Sequence, residues 1–450
     1  MGDLLGTRAT TAAASRWKGE RLAGRGPALP SRTESYIKDR GHIHVVSETG
    51  MRILIPDGPW KNVTGSIRLL ARNGHTVDLA TPGMSEDEAR RHRSRYTHRC
   101  FSVTSPLQSI DRFVQDLCEI LSRERYDVVM PFTLAPTVAV SYLKDRVENY
   151  APTTVPPYQT LVKAHDKRET LSWIGRTAQR GGRGAVSIDA PALYELETAQ
   201  FPCVVKARRS CGVSTGVRLA RNRTQLDEAV RETRQPGDGV IHDYTEPLIQ
   251  EYIPGRIHDC LALYNRGEAR VLMTQERTVT FPAGGGVGAV NTTTQDRALK
   301  QKAEALLDGL GWHGPCQTEW KLDSRDARYK LIEVNPKFWG TLELSIEAGI
   351  PFPILAAQIA TSGDAPYLDS YRIGLRHRWI PLELCSALGQ PGLARMIGLA
   401  KFLGRFMNPA YRYSFDPLDM RPAMAELAHT AKSLLTARNR ILWSPWPEDG

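Results

Sequence analysis

Hydrophobic positions after residue 50 follow two alternating patterns. Short apolar runs bounded by turn residues occur at 51–56, 75–80 and 127–131, and such runs are typical of buried parallel strands. Apolar residues recur at helical spacing over 110–121, which predicts a helix that buries one face. Strands that alternate with helices indicate a parallel sheet with helices packed on its faces. We therefore predict an open parallel α/β domain over 51–155.

The pattern changes after a linker at 150–158 that contains three prolines. From Phe201 onward strand patterns are frequent, and helix patterns interrupt them only near 224–234 and 297–310. Strands without strict alternation favour α+β units over a second doubly wound sheet. Beyond residue 365 the pattern becomes mainly helical.

Composition narrows the class of protein. With 41% hydrophobic and 24% charged residues, and without an apolar run of about 20 residues, the sequence predicts a globular chain with no membrane span. The seven cysteines are scattered and form no Cys-x-x-Cys pair, which fits a reducing compartment and predicts a cytoplasmic protein. The net charge of +10 permits a nucleic-acid partner, but no such partner is expected. A homo-oligomer is left open.

The first candidate for chemistry is a strand and a loop of small residues, FPCVVKARRSCGVSTGV at 201–217. The strand leads into Lys206, and the loop contains Gly212 and Gly216 among hydroxyl side chains. Small residues let backbone N–H groups approach phosphate oxygens, and a lysine adds positive charge. The segment is not a Walker loop, because the Gly-x-x-x-x-Gly-Lys order is absent. Taken alone, it fits a phosphate-binding loop and an ordinary hairpin turn equally well.

The second candidate is the segment QTEWKLDSRDARYKLIEVNPKFWG at 317–340. Its alternation predicts a hairpin with Glu319 on one strand and Glu333 and Asn335 on the other. Glu333 and Asn335 are two residues apart, so their side chains leave the same face of the strand. Oxygen ligands at this density suit Mg²⁺, which usually takes one or two carboxylates together with substrate phosphates. Two carboxylates on a solvated hairpin are the alternative interpretation.

Four motifs in this order resemble the ATP-grasp superfamily, and within it the carbamoyl-phosphate-synthase-like carboxylate–amine ligases. They span about 51–360 and are Asp166-Lys167, the Lys206 strand with its glycine loop, Gln250-Glu-Tyr-Ile-Pro-Gly255, and Glu319 with Glu333-Val-Asn-Pro-Lys-Phe-Trp-Gly340. The resemblance implies an ATP-grasp fold of mixed α/β and α+β class, preceded by a parallel α/β domain. The implied regions are a tail that is disordered or follows a start codon assigned too early (1–50), the pre-ATP-grasp domain (51–155), a lid subdomain (156–245), a metal-binding and catalytic subdomain (246–365) and a helical C-terminal extension (366–450).

The resemblance also implies roles for individual side chains. A lid and a hinge would hold ATP, with Asp259 binding the ribose because the position that often carries an acid in relatives is Ile257. The implied nucleotide-binding residues are Lys167, Lys206, Ser210, Gly212, Ser214, Thr215, Gly216, Gln250, Glu251, Tyr252, Ile253 and Asp259. Glu319, Glu333 and Asn335 would bind Mg²⁺, with Mn²⁺ as an alternative ion. Lys337 and Arg277 would be the catalytic cations near the transferred phosphoryl group.

An ATP- and Mg²⁺-dependent ligase follows from this resemblance. Such an enzyme activates a small-molecule carboxylate as an acyl phosphate and joins it to an amine or similar nucleophile. Two alternatives stay open, namely an ATP-dependent small-molecule kinase and a nucleotide-binding regulatory protein without turnover. The sequence does not identify the acyl donor or the acceptor.

Overall fold

The computed structural model describes residues 35–39, 42–46, 50–180, 186–211, 216–235, 237–413 and 416–435. Of the predicted tail at 1–50, the described part is one antiparallel hairpin, formed by β1 (Ser35–Asp39) and β2 (His42–Val46), together with Gly50. The rest of that prediction lies outside the described residues. No helix in the described ranges is both long and apolar enough to span a membrane.

The first domain is built on a four-stranded parallel sheet in the order β5-β4-β3-β6, which confirms the predicted parallel α/β architecture. Its strands are β3 (Arg52–Ile55), β4 (Thr76–Pro82), β5 (Arg99–Val103) and β6 (Val128–Val129). Its helices are α1 (Lys61–Arg72), α2 (Glu86–His92), α3 (Ile110–Arg123), α4 (Leu134–Tyr142) and α5 (Lys144–Glu148). Ile53, Leu54 and Ile55 are completely buried, as the apolar run of a strand covered on both faces requires.

A small antiparallel sheet follows in the order β7-β10-β8-β9. Two helices lead into it, α6 (Tyr158–His165) and α7 (Lys167–Arg180). The sheet contains β7 (Leu193–Tyr194), β8 (Cys203–Lys206), β9 (Val217–Ala220) and β10 (Leu248–Glu251), with α8 (Arg223–Thr233) and a 3-10 turn (Leu196–Thr198) beside it. Asn222 caps α8, because its side chain accepts a hydrogen bond from the Gln225 backbone N–H.

The largest sheet has seven strands in the order β15-β14-β11-β12-β13-β16-β17. These strands are β11 (Ile257–Asn265), β12 (Glu268–Phe281), β13 (Val287–Thr294), β14 (Gly314–Leu322), β15 (Tyr329–Asn335), β16 (Arg376–Arg378) and β17 (Tyr411–Tyr413). The remaining helices are α9 (Arg297–Gly309), α10 (Leu342–Glu347), α11 (Phe352–Ser362), α12 (Ile380–Gly389), α13 (Gly392–Gly404) and α14 (Met420–Leu435), with a 3-10 turn at Arg405–Met407. One hydrophobic core joins this sheet to the first domain, since Leu261 and Met273 pack in the same cluster as Ile53 and Val77.

The C-terminal region contains helices, as predicted, and also two short strands that were not predicted. Besides three helices it contributes β16 and β17, which extend the large sheet. Each of these strands has only three residues, which is too short for a periodic pattern to reveal. β16 pairs with β13 and β17 pairs with β16. Just beyond β16 the Trp379 backbone N–H donates to the Ala289 carbonyl over 2.8 Å.

Candidate active site

A cavity of about 970 Å³ lies where the first domain, the small sheet and the large sheet meet. Residues far apart in the sequence converge on its walls. The predicted site residues that line it are Lys167, Lys206, Ser210, Gln250, Glu251, Tyr252, Ile253, Arg277, Glu319, Glu333, Asn335 and Lys337.

Part of the predicted glycine loop cannot be assigned to the cavity wall. Gly212, Ser214 and Thr215 lie outside the described residues. Gly216 is described, and its φ of 70° is a left-handed conformation that favours glycine. A Cβ there would also lie 2.7 Å from the Ala207 Cβ, so this turn is tightly packed against the end of β8.

The acidic part of the cavity is built by the hairpin of β14 and β15. Its register places Glu319 opposite Glu333 and Gln317 opposite Asn335. The Asn335 amide nitrogen donates to Glu319 Oε1 over 2.9 Å and to Glu333 Oε1 over 3.2 Å. The three predicted metal ligands therefore meet at one point, as alternation along the strands predicted.

The two carboxyl groups differ in their electrostatic surroundings. Burial raises the pKa of Glu319 to about 7, and the nearby charge of Glu333 acts in the same direction. Burial alone would also raise the pKa of Glu333, but Lys167 and Lys206 hold that pKa at about 2. One carboxyl group is thus firmly ionised while its neighbour resists ionisation. A cation between them would favour the charged form of both.

The donor set fits Mg²⁺ provided that the nucleotide completes it. Two carboxylates and the oxygen of an amide are hard ligands, as Mg²⁺ requires. Within the described ranges, no cluster of three or more His, Cys, Asp or Glu side chains could hold a metal ion. Phosphate oxygens would therefore supply the other ligands. The Asn335 amide would turn its oxygen, rather than its nitrogen, toward the ion.

Arg277 holds the acidic hairpin in place. Its guanidinium group lies 2.6 Å from Asp259 Oδ1 and 2.7 Å from Glu319 Oε1, and it donates to the Gly286 carbonyl over 2.8 Å. Since its donors are engaged by these groups, we interpret Arg277 as a positioning residue for Glu319. This differs from the direct catalytic role that the resemblance implied.

The placement of Asp259 corrects its predicted role in ribose binding. The side chain is completely buried in β11 and does not line the cavity. Gln275 donates to its Oδ2 over 2.7 Å, and Arg277 binds both of its oxygens. No oxygen of Asp259 is therefore available for a sugar hydroxyl, and its function is to fix Arg277.

Three lysines face the two glutamates. Lys167 begins α7, and its Nζ lies 3.6 Å from Glu333 Oε2. Lys206 ends β8, where burial lowers its pKa to about 8. Burial also lowers the pKa of Lys337, against the attraction of both glutamates. The lysines come from different elements and share one enclosed volume, which suits the charge of a triphosphate.

The predicted hinge forms another wall of the cavity. Beside it lies Lys321 of β14, a residue that the sequence analysis did not identify. The Lys321 ammonium donates to the Ile253 carbonyl over 2.7 Å and lies 4.7 Å from the centre of the Tyr252 ring. It therefore fixes the chain after β10. The signal was present in the sequence, because Gln317, Glu319 and Lys321 alternate along β14 and share one face.

The first domain contributes a wall that sequence analysis also missed. Asp57 lies just beyond β3, and its buried carboxyl group accepts hydrogen bonds from the backbone N–H groups of Phe132 (2.7 Å) and Thr133 (3.2 Å). Burial raises the pKa of Asp57 to about 7. Phe132 and Thr133 then line the cavity, together with Trp60. Ligands usually bind at the carboxyl ends of parallel strands, and this rule could have identified the segment after β3 as part of the site.

Comparisons with known proteins agree with this geometry. Residues 244–381 match a family model described as "ATP-grasp in the biosynthetic pathway with Ter operon". The N-terminal section of the carbamoyl phosphate synthase large chain of Methanopyrus kandleri is 24% identical over 212 residues, which cover 45% of this chain. The match spans only 36% of that relative's length.

Two solved structures have a similar fold. An L-amino acid ligase from Bacillus licheniformis has a TM-score of 0.52 at 17% identity, with 70% of this chain and 75% of that chain covered. The biotin carboxylase domain of Hydrogenobacter thermophilus 2-oxoglutarate carboxylase, solved with MgADP, ADP and bicarbonate, has a TM-score of 0.57 at 11% identity, covering 73% and 74%. At these identities the similarity concerns the fold.

Proposed function

This chain has the ATP-grasp fold, and from that premise we propose that it is an ATP- and Mg²⁺-dependent ligase. It would activate a carboxylate as an acyl phosphate and transfer the acyl group to an amine or similar nucleophile. The single observation that carries this proposal is that Lys167 and Lys206 meet the hairpin of Glu319 and Glu333 within one cavity.

The charge of each side chain determines its proposed role. Lys167 and Lys206 bind the phosphates of ATP, while the backbone from Gln250 to Ile253 receives the adenine. Glu319, Glu333 and Asn335 hold Mg²⁺, which when bound neutralises charge on the phosphate oxygens. Lys337 lies beside these ligands and stabilises charge on the transferred phosphoryl group.

The reaction then needs positioning more than covalent help from the protein. A carboxylate oxygen attacks the γ-phosphorus in line with the bond to ADP, and that bond breaks. The nitrogen of the amine next attacks the acyl carbon, and phosphate and a proton are released. The enclosed cavity would limit hydrolysis of the acyl phosphate by water.

The same proposal covers the regions of the chain and its compartment. We assign the first domain to 51–155, the lid to 156–245 and the metal-binding part to 246–365. All seven cysteines are free thiols in the structure, which supports a reducing compartment such as the cytoplasm.

Hydroxylamine provides a test that does not require the natural amine. The purified chain is incubated with Mg-ATP, hydroxylamine and a panel of amino acids and small carboxylic acids. We expect ADP, phosphate and a hydroxamate in equal amounts, and the same reaction with Mn²⁺ tests the alternative ion. A stable phosphorylated acid without free phosphate would indicate a kinase instead, and failure to bind Mg-ATP would contradict the nucleotide site itself.

A further inference from the structure

One part of the cavity wall is lined by uncharged side chains, next to Arg277, which lies opposite Asn291 in the pairing of β12 with β13. It is formed where the first domain meets the large sheet and β16, and its lining includes Trp60, Asn62, Phe132, Asn291 and Trp379. Within the described ranges, every charged lining residue comes from the small sheet and its helices, the hinge, β12, the hairpin or Lys337. We call the uncharged part the neutral wall.

Two polar atoms on the neutral wall have no hydrogen-bond partner among the residues described. They are Asn291 Oδ1 and Trp379 Nε1, and both are buried. The Asn291 amide nitrogen donates to the Gly288 carbonyl over 3.1 Å, which fixes the unpartnered atom as the oxygen. Because buried polar groups are almost always paired, this acceptor and this donor require a partner that the described residues do not supply.

The Trp379 ring is held in place although its N–H group is not used. Its backbone N–H donates to the Ala289 carbonyl, and the Lys61 ammonium lies 5.0 Å from the centre of the ring. A cation over the ring face fixes the indole without engaging its nitrogen. The N–H group is therefore held in one orientation and has no partner in the described structure.

The open donor and acceptor come from neighbouring segments of the large sheet. β13 and β16 are antiparallel, and their register pairs Asn291 with His377. Trp379 follows β16 directly, and its backbone N–H donates to the Ala289 carbonyl, so it lies diagonally across from Asn291. Diagonal neighbours across a strand pair are about 7–8 Å apart, so the side chain of one ligand can contact both.

We propose that the neutral wall selects a carboxylic acid substrate whose side chain is uncharged and carries an amide-like pair, an N–H for Asn291 and a C=O for Trp379. The substrate carboxylate then points toward Lys337, and the amide packs between aromatic side chains. A side-chain carboxylate is disfavoured, because it has no N–H group for Asn291 Oδ1 and would leave that buried oxygen unpaired. The inference rests on the proposed ligase function and names the acyl donor of that same site.

The test compares acids that differ only at the amide. The probes are glutamine against glutamate, asparagine against aspartate, and the dipeptides that carry each at the C-terminal position, with Mg-ATP and hydroxylamine. We expect kcat/KM for the amide member of an accepted pair to exceed that for its acid by at least about tenfold. Equal or inverted preference would overturn the inference while the ligase function stands.

Two further outcomes separate the inference from the function on which it rests. Protein that binds Mg-ATP but releases ADP with none of these amides would contradict the inference and leave the nucleotide site intact. Protein that fails to bind Mg-ATP would contradict the proposed function.

A pair of tryptophan variants isolates the indole N–H. Trp379→Phe keeps the aromatic ring and removes the donor, so we expect KM for the amide substrate to rise about tenfold while KM for ATP is unchanged. Trp312→Phe is the matched control, because Trp312 Nε1 is also buried without a partner in the described structure but lies outside the cavity. If the two variants change KM for the amide equally, the neutral wall is not the binding site.

Discussion

The two parts of the cavity are built in opposite ways. The nucleotide part is crowded with charge, since Lys167, Lys206 and Lys337 face Glu319 and Glu333. The neutral wall, made by the first domain and the β13–β16 edge of the large sheet, contains aromatic rings and amides. The difference follows from their proposed ligands. A triphosphate and its cation demand many charges at fixed positions, whereas an uncharged side chain demands shape and a few hydrogen bonds.

The two parts of the cavity should also control different properties, namely the rate of ATP turnover and the choice of acid. Changes among the charged residues should lower turnover for every acid, because every acid must be phosphorylated by the same bound ATP. Changes on the neutral wall should alter which acid is used and leave ATP binding alone. Four experiments test this division.

The largest effect is expected for Glu333→Gln. The amide is nearly isosteric but cannot supply the charged oxygen to Mg²⁺, so we expect ADP release to fall by about 10²–10³-fold for all acids. Circular dichroism should show that the fold survives. Glu276→Gln is the control, since Glu276 lies on the same sheet but pairs with the exposed Arg256. Wild-type ADP release from Glu333→Gln would remove this residue from the metal site.

A smaller loss is expected for Arg277→Lys. Lysine keeps the charge but cannot bind Asp259 and Glu319 at once through a planar fork, so Glu319 should become poorly positioned. We expect a loss of about 10–100-fold in activity, partly recovered at high Mg²⁺. Titration of ADP release with Mg²⁺ measures this shift. An unchanged Mg²⁺ dependence would show that Arg277 does not act through the metal ligands.

A pH effect follows from Lys206, whose pKa burial lowers to about 8 in the free protein. The triphosphate stabilises the protonated ammonium, so binding raises this pKa toward the ordinary lysine value. Below pH 8 the group is already charged and nothing changes. Between pH 8 and about 10, ATP binding should take up as much as one proton and weaken by up to about tenfold per pH unit.

Calorimetry at pH 9 in buffers of different ionisation enthalpy measures that proton uptake. Lys206→Met should abolish it as well as weaken binding. Equal heats in all buffers for the wild-type protein would mean that Lys206 is not the group that titrates.

The smallest effect is expected for Gly288→Ala, which belongs to the neutral wall. A Cβ at this position would overlap with the Asn291 side-chain amide, so the amide must move away from its present place. We expect KM for the acid substrate to rise a few-fold, with ATP binding unchanged and the protein destabilised by about 1–3 kcal/mol. Gly340→Ala is the control, because nothing lies within 4 Å of a Cβ at that lining position. An effect on ATP binding would break the division between the two parts.

The metal-binding residues of the charged part could be predicted from the sequence, because they are close together in the chain. Alternation puts Glu333 and Asn335 on one face of β15, and the register of the same hairpin places Glu319 beside them. The parallel sheet was predictable from three of its strands, β3, β4 and β6, whereas β5 (Arg99–Val103) contains polar residues and was not predicted. Asp259 was assigned wrongly because alternation gives the face of a strand but not the partner, and here Arg277 takes both oxygens.

The neutral wall could not be predicted in the same way. Asn291 and Trp379 are distant in sequence and meet only through the pairing of β13 with β16. β16 has only three residues, which are too few to show a periodic pattern. Neither side chain is charged or belongs to a motif, so only the tertiary structure reveals that each has an unused hydrogen-bonding atom.

The attachment of β16 and β17 at the edge of the large sheet has an evolutionary consequence. A peripheral ribbon can be exchanged, lengthened or mutated without disturbing strands nearer the middle, yet this ribbon leads directly into Trp379. Mutations at this edge of the sheet could therefore allow the protein to use new acids, while the residues that bind ATP and Mg²⁺ stay unchanged. Among homologues we expect sequence drift at this edge to track the identity of the metabolite more closely than drift in the hairpin does.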